Sequence, residues 1–441
     1  MFRYFFLLIL FPAALFPQKR NVIYLTWDDV VVKSLDQNLS LKSKMLDYNL
    51  QNLEVWRSYS NFLPSLTYQG LAVNNLELPS IVFMGQRFVL GTNYTFQHSL
   101  NLNFTVFAGG SRFFNLKVQN YLRKSLNEEL KGKEQEAVLE ALQSYYGIIL
   151  ADQLSRSAFD AVQVADSNLR QVTVFYNHGT ATELDLQRAK AQYYSSLPQL
   201  ENAVSNRLLS YQRLKMVLNI PMEDSVIVND SLSVKDFLDE FRGTDLAGYK
   251  KVLFESRPEL KAVIHQVNAL GEGEKLSLSQ FSPVVAFSAN LIQEAFTDNN
   301  KIMWKDYIRS KSIALSVYWP LFEGGRRLID YQQAKIRTGQ AELLRQQLGN
   351  QFSLEVEQNY YMFNEAVKNL RSLQEALKQS KESLRLSNLL YSEGMTTQLD
   401  VLNAQFLYNS SRVQYLQGIY NYNVNQLMLL KSIGKLNTIW D

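Results

Sequence analysis

The chain carries a second copy of itself. Phe62-Leu63-Pro64 returns as Phe281-Ser282-Pro283, with Pro64 and Pro283 standing 219 residues apart. Phe107-Ala108-Gly109-Gly110-Ser111-Arg112 returns as Phe322-Glu323-Gly324-Gly325-Arg326-Arg327, now at an offset of 215. Tyr176-Asn177-His178-Gly179 returns as Tyr391-Ser392-Glu393-Gly394, and Asp185 returns as Asp400, both still at 215. The offset changes once, between the proline and the glycine pair, as an insertion of four residues in a loop of the first copy would make it. A duplication of this length restricts the chain to folds built from two like supersecondary units.

Each copy reads in one order: helix, proline, strand, loop, strand, glycine pair, very long helix, glycine, helix. The first helix is expected from Thr26, a plausible N-cap, to Asn61, and its counterpart from Asp245 to Gln280. Pro64 and Pro283 end these helices and start extended chain. Phe96 to Val106 then alternates, with Phe, His, Leu, Leu, Phe and Val on one face and Gln, Ser, Asn, Asn and Thr on the other. Ile313 to Trp319 repeats the alternation, and Leu66 to Val73 and Val284 to Leu291 are weaker partners. A transmembrane barrel strand needs this pattern over about ten residues. A half-buried sheet of a soluble domain shows it too, so the strands alone do not choose.

Arg112 to Asn177 and Arg327 to Ser392 are proline-free and helical in character. At 1.5 Å per residue each would run roughly 100 Å, too long for a compact domain. The returning helices, expected over Thr180–Leu218 and Met395–Ile433, reach about 58 Å each. Four strands cannot close a barrel, since about eight is the smallest closed size. Two chains would supply eight strands and three would supply twelve.

The 441 residues hold no cysteine, which excludes disulfides and thiolate metal sites, and a net charge of +3 gives no reason to expect nucleic acid. Residues 1–18 read as a secretory signal, with Arg3 before an apolar run from Phe5 to Phe16. No later stretch has eighteen consecutive apolar residues, so a membrane crossing by the mature chain falls to β-strands. His98, His178 and His265 are scattered, and no nucleophile elbow or phosphate-loop spacing occurs. No cofactor, metal or enzymatic role is expected.

Trp319-Pro320-Leu321-Phe322-Glu323-Gly324-Gly325-Arg326, with Tyr391-x-x-Gly394 followed by Asp400-Val401-Leu402-x-Ala404-Gln405, resembles the TolC-like outer membrane efflux protein family over nearly the whole mature chain. The resemblance implies a mainly α fold with a transmembrane β part: four β-strands and long antiparallel helices in two structural repeats per chain. It further implies a homotrimer, with a 12-stranded β-barrel in outer-membrane lipid continued by a periplasmic α-helical barrel. The implied role is a passive duct serving a periplasmic adaptor and an inner-membrane pump. Repeat 1 would take 19–218 (β-hairpin 65–107, helical hairpin 112–218), an equatorial linker 219–244, and repeat 2 245–441 (β-hairpin 284–321, helical hairpin 327–433).

By the same resemblance Asp400 stands at the acidic ring of the periplasmic mouth, with Asn403 where some members carry a second acid. Asp185 and Tyr391 match latch positions, but Thr396 replaces the basic latch partner, and Arg188 is placed to pair with Asp185 instead. Asn177, His178, Gly179 and Thr180, with Glu393, Gly394, Met395 and Thr396, are the expected adaptor-contact tips. Pro64, Pro283, Gly109, Gly110, Pro320, Gly324 and Gly325 are the expected structural junctions, the first copy having Thr105-Val106-Phe107 in place of Pro-Leu-Phe. The competing class is a periplasmic coiled-coil adaptor or structural protein that does not span the membrane. It would share the helical hairpins but has no need of two strand pairs. The exported substrate is not legible.

Overall fold

The computed structural model describes residues 21–299 and 301–440; the expected signal over 1–18 lies outside them. The first copy begins with β1 (Val22–Tyr24), α1 (Trp27–Gln37) and α2 (Leu39–Ser60), followed by β2 (Ser65–Asn74). A short hairpin, β3 (Ser80–Phe83) and β4 (Gln86–Val89), precedes β5 (Tyr94–Ala108), α3 (Ser111–Asn177), α4 (Glu183–Val217) and β6 (Ser225–Ile227). The second copy runs α5 (Leu246–Ser256), α6 (Pro258–Ser279), β7 (Val284–Thr297), β8 (Ile308–Tyr318), α7 (Arg326–Ser392) and α8 (Gln398–Ser432). The two long helices, α3 and α7, have 67 residues each.

Three features differ from the sequence reading. The opening helix of each copy is two helices, broken at Asn38 and at Arg257, 219 positions apart like the two prolines. Both breaks are extended, at φ −62°, ψ 120° and φ −64°, ψ 118°. Pro258 was the available signal, because a proline drives the residue before it out of the helical region. Asn38 makes the same break without proline, its Oδ1 accepting from Leu41 N at 3.0 Å to start α2. The loop between β2 and β5 holds the β3–β4 hairpin, turned through Met84 and Gly85 at φ 50° and 80°. Successive positive φ values are the two-residue hairpin turn that matches strand twist. Finally, α4 and α8 start three residues later than expected.

Described residues divide into two compact units, each taken by itself. One holds Ser43–Lys133 and Ala247–Val356, and it contains the four-stranded antiparallel sheet of order β2-β5-β7-β8. The register lines up Leu66, Leu102, Ala289 and Ile313 in one row across the sheet, with Phe104, Phe287 and Leu315 in the next. Paired residues share a face, so these rows make one continuous apolar face. Thr67, Asn101, Asn290 and Ser312 form a row of the opposite, polar face. A bulge between Thr105 and Phe107 shifts the register beside the glycine pair. In the same unit Arg257 is 2% exposed at its side chain. Its guanidinium meets Glu355 at 2.8 Å and Glu259 at 3.3 Å, and lies 3.7 Å over the Phe352 ring. A buried charge held this way is both paired and packed.

The other unit holds the described residues up to Lys42, Glu134–Leu246 and Glu357 onward. Here β1 pairs in parallel with β6. The segment between the copies is strapped down: Lys235 N and Phe237 N donate to Asn423 Oδ1 and Gln426 Oε1, both at 2.9 Å. The same two amides donate back to Ser233 O and Lys235 O at 2.8 Å. Both side chains are fully buried, so α8 offers the linker what a neighbouring strand would offer. Trp27 stacks on Phe237 at 6.2 Å, and the Tyr145 hydroxyl donates to Asp230, while burial first and that bond second push the phenol up.

The glycine pairs show where the duplicated halves part. Gly109 and Gly324 have φ of 61° and 62°. A Cβ on Gly109 would stand 2.5 Å from Ser279 O, whereas on Gly324 it would meet nothing within 4 Å. Gly324→Ala is therefore expected to cost only the left-handed backbone, about 1–2 kcal/mol. Gly109→Ala must also push α6 away from the junction. Thermal unfolding of the detergent-purified variants should show the larger fall in midpoint for Gly109→Ala; equal falls would refute the close approach.

Candidate functional site

The duplicated hairpin tips bring most of the sequence-predicted residues together. At the end of α3, Gly179 turns the chain at φ 75°, and Thr180 N donates back to Phe175 O at 2.8 Å. At the end of α7, Gly394 does so at φ 70°, with Met395 N on Leu390 O at 2.8 Å. Glycine is required because the helix ends in a left-handed residue before reversing. Beneath the first tip Val172, Leu186 and Ala189 form a buried cluster, with Leu169 and Ala181 packed on it. Asn177, His178, Gly179 and Thr180 stand exposed above that cluster, as do Glu393, Gly394 and Met395 on the second tip. Thr396 is also part of that second tip.

Asp185 and Asp400 sit at the third position of α4 and α8, and each closes a capping box. Asp400 Oδ2 accepts from Thr397 Oγ1 at 2.5 Å, Thr397 N at 3.1 Å and Thr396 Oγ1 at 2.8 Å. In return Asp400 N donates to Thr397 Oγ1 at 3.3 Å. Asp185 repeats the arrangement with Thr182, its Oδ2 taking Thr182 Oγ1 at 2.6 Å and Thr182 N at 3.1 Å. These bonds, the threonine hydroxyl first, hold both carboxyls below the usual range. Thr396, where the resemblance leads one to look for a basic latch partner, is thus a donor to Asp400. Arg188 stands 3.8 Å from Asp185, the pairing the i,i+3 spacing implies.

Tyr391 is raised above the ordinary phenol value by burial and, second, by the negative charge of Asp185. Asn403 lies one turn after Asp400 on the same helix. Thr182 and Thr397 were missed in the sequence, although Thr-x-x-Asp is a legible capping signal; Thr396 was named there as a tip and latch position but not as a donor to Asp400. Among the described residues the pattern closes a capping box at three helix starts, the third formed by Thr26 and Asp29 at α1.

Further along the same unit, Asp152 accepts from Arg207 and, at 2.9 Å, from the Tyr211 hydroxyl. Asp160 takes Arg412 at 2.9 Å. These pairs tie α3 to α4 and α3 to α8 around a cleft of about 620 Å³, and no sequence motif marked them. In the sheet-bearing unit the junction residues stand as follows. Pro64 and Pro283 immediately precede β2 and β7. Gly109, Gly110, Gly324 and Gly325 all have positive φ at the strand-to-helix turns, and Pro320 follows β8. Among the described residues no group of three His, Cys, Asp or Glu is placed to hold a metal, and no helix is long and apolar enough to cross a membrane.

Removing the caps should loosen only the tips. Thr397→Ala and Thr182→Ala are each expected to cost about 1 kcal/mol of local helix stability. Hydrogen exchange at the first turn of α8 or α4 should quicken roughly five-fold, with other segments unchanged. Because the folded carboxyls lie below their unfolded values, the cap is complete above the unfolded pKa of about 4. It is lost only as pH falls through the lower folded value. After correction for intrinsic rates, exchange at these turns should be flat from about pH 8 to about pH 5; a rise near neutrality would contradict the capping geometry.

A sequence profile described as "Outer membrane efflux protein" matches residues 30–219 and 251–435. The protein named "Outer membrane protein TolC" of Escherichia coli is 21% identical over 320 residues, which are 69% of this chain and 62% of that one. Among solved structures, the Campylobacter jejuni CmeC outer membrane channel superposes with a TM-score of 0.80 at 15% identity, over 93% of this chain and 86% of that one. A membrane protein from Pseudomonas aeruginosa superposes at 0.79 and 18% identity, over 96% and 98%.

Proposed function

The chain belongs to the outer membrane efflux protein family, and on that premise we propose that it is one subunit of a passive trimeric duct, carrying cargo from periplasmic partners to the exterior. The observation that carries this reading is the four-stranded sheet. It has one apolar face, one polar face and two edges, β2 and β8, that no strand of the chain occupies among the described residues. A sheet of this kind in lipid must close, because unpaired backbone groups cost several kcal/mol each there. Three copies give twelve strands. Strands about 4.8 Å apart and tilted about 40° then enclose a backbone diameter of about 24 Å.

Aromatic groups lie at both ends of the apolar face. Tyr68, His98, Trp304 and Tyr307 cluster at the loop end, and Trp319, whose Nε1 donates to Phe281 O at 3.1 Å, stands at the helix end. The strand between Tyr307 and Trp319 rises about 30 Å along the membrane normal at a tilt of about 40°. That matches a hydrocarbon layer and its two interfaces.

Repeat 1 (19–218), the linker (219–244) and repeat 2 (245–441) are then the functional parts, each repeat giving one β-hairpin to the barrel and one helical hairpin to the periplasmic tunnel. At the mouth, threefold symmetry would set three Asp400 carboxylates about one axis, with Oδ2 engaged in the cap. Such a ring favours cations and slows anions. Asp185, Arg188, Tyr391 and Asn403 line the same constriction, and opening separates these pairs. The tips, from Asn177 to Thr180 and from Glu393 to Thr396, meet a periplasmic adaptor that couples the duct to an inner-membrane pump. Exposed Met395 and the Glu183-bonded Tyr176 give that contact both apolar and polar surface. The duct itself performs no chemistry, so cargo choice rests with the pump.

Planar-bilayer recording tests this together with the mass of the detergent-purified chain. A trimer of about three times the 50.9 kDa chain, with small cation-preferring conductance, is expected. Asp400→Asn should weaken block by divalent cations while leaving trimer formation intact. A water-soluble monomer without conductance would overturn the duct, and unchanged block would overturn the mouth ring alone.

A further inference from the structure

The charges of the membrane sheet are not scattered. The four strands β2, β5, β7 and β8 hold two cationic residues, Arg309 and Lys311, and one carboxylate, Glu294. The register puts Arg309 opposite Gln293 and Lys311 opposite Leu291, on the apolar face. Glu294 pairs with Ile308 and belongs to the polar face. The face turned to lipid is therefore purely cationic at its loop end, and its two charges stand about 7 Å apart along one strand.

Directly inward of Lys311 the apolar face is dented. Its next row is Leu66, Leu102, Ala289 and Ile313, with the small Ala289 between two large neighbours. The dent is a trough of about 480 Å³, walled by Leu100, Leu102, Leu291 and Ile313 and ending at Lys311. An apolar trough closed by an ammonium group has the shape of a chain with an anionic head. Aromatic rings stand at the same height: His98 occupies the Arg309 row, its Nε2 bonded to the Tyr307 hydroxyl at 3.0 Å, and Trp304 is 80% exposed beside it. Tyr, Trp and long cationic side chains at one level mark the headgroup zone of a bilayer.

We propose that this face is a binding site for a phosphorylated lipid of the outer leaflet, one acyl chain lying over Ala289 and the phosphate held between Lys311 and Arg309. The inference rests on the barrel reading, which sets this face against lipid and the loop end outward. The long Lys311 stem can snorkel toward the headgroups, and Arg309 offers a planar fork to phosphate oxygens. Charge complementarity selects the occupant, since a zwitterionic head would bring its own cation against two others. Three equivalent sites follow per trimer.

Native mass spectrometry of the full mature chain in detergent, titrated with lipid A as the phosphorylated probe, tests the site. Wild-type trimers are expected to retain up to three lipid A molecules. The double variant Lys311→Gln, Arg309→Gln should bind at least tenfold more weakly. Ala289→Leu, which fills the trough without touching charge, should also weaken binding, and millimolar inorganic phosphate should not displace the lipid. Trimer mass and single-channel conductance are read on each preparation. Conducting trimers that take up no lipid A, or bind its dephosphorylated form as tightly, would overturn the site and leave the duct standing. Wild-type affinity in both variants would overturn the site in the same way. A water-soluble chain without conductance would remove the duct and the site together.

Discussion

Along the outer edges of β2 and β8 run backbone N–H and C=O groups that no other strand of the chain reaches among the described residues. In water such edges are tolerated, but in hydrocarbon they are not. The proposed assembly follows from these unmade hydrogen bonds. On the proposed duct, the apolar face would make the sheet a membrane element, the open edges would call for further copies, and the polar face would become the wall of a lumen. The helices then continue the strands through glycine turns at Gly109 and Gly324, where left-handed φ lets a strand pass into a helix within two residues.

Duplication supplies two versions of each part, and the structure uses them unequally. Gly109 is pressed against Ser279 while Gly324 is open to space. One tip carries Arg188 beside Asp185, the other an extra threonine on Asp400 and an amide at Asn403. The shared element is the capping box, which fixes both carboxylates at the first turn of a returning helix. That is a structural use of the acids that a mouth ring would need. The two uses are compatible, because the cap bonds to Asp400 Oδ2 and the proposed ring would act through the other oxygen.

Between the copies, Asn423 and Gln426 stand in for a missing strand. Each buried amide gives one donor and one acceptor to the linker backbone, satisfying four main-chain groups that would otherwise be stranded against apolar surface. A change to leucine at either position keeps the volume but strands those groups. The linker is thereby part of the helical unit and not a tether.

The sequence by itself determined the duplicated order of elements, the glycine turns, the proline-started strands and the faces of the sheet. Each of these is local: it depends on which residues permit φ above zero, which exclude a helix, and which alternate. The caps at Thr182 and Thr397 and the break before Pro258 were equally local and could have been read, as the cap at Thr26 was. Tertiary structure alone decided the rest. Asn38 breaks a helix with no proline to announce it, and Arg257 is buried because Glu355 and Phe352, far along the chain, come to meet it. Ala289 becomes the floor of a trough only when the register sets it between Leu102 and Ile313. Neighbours across a sheet or between helices are fixed by packing and register, which no single window of the chain contains.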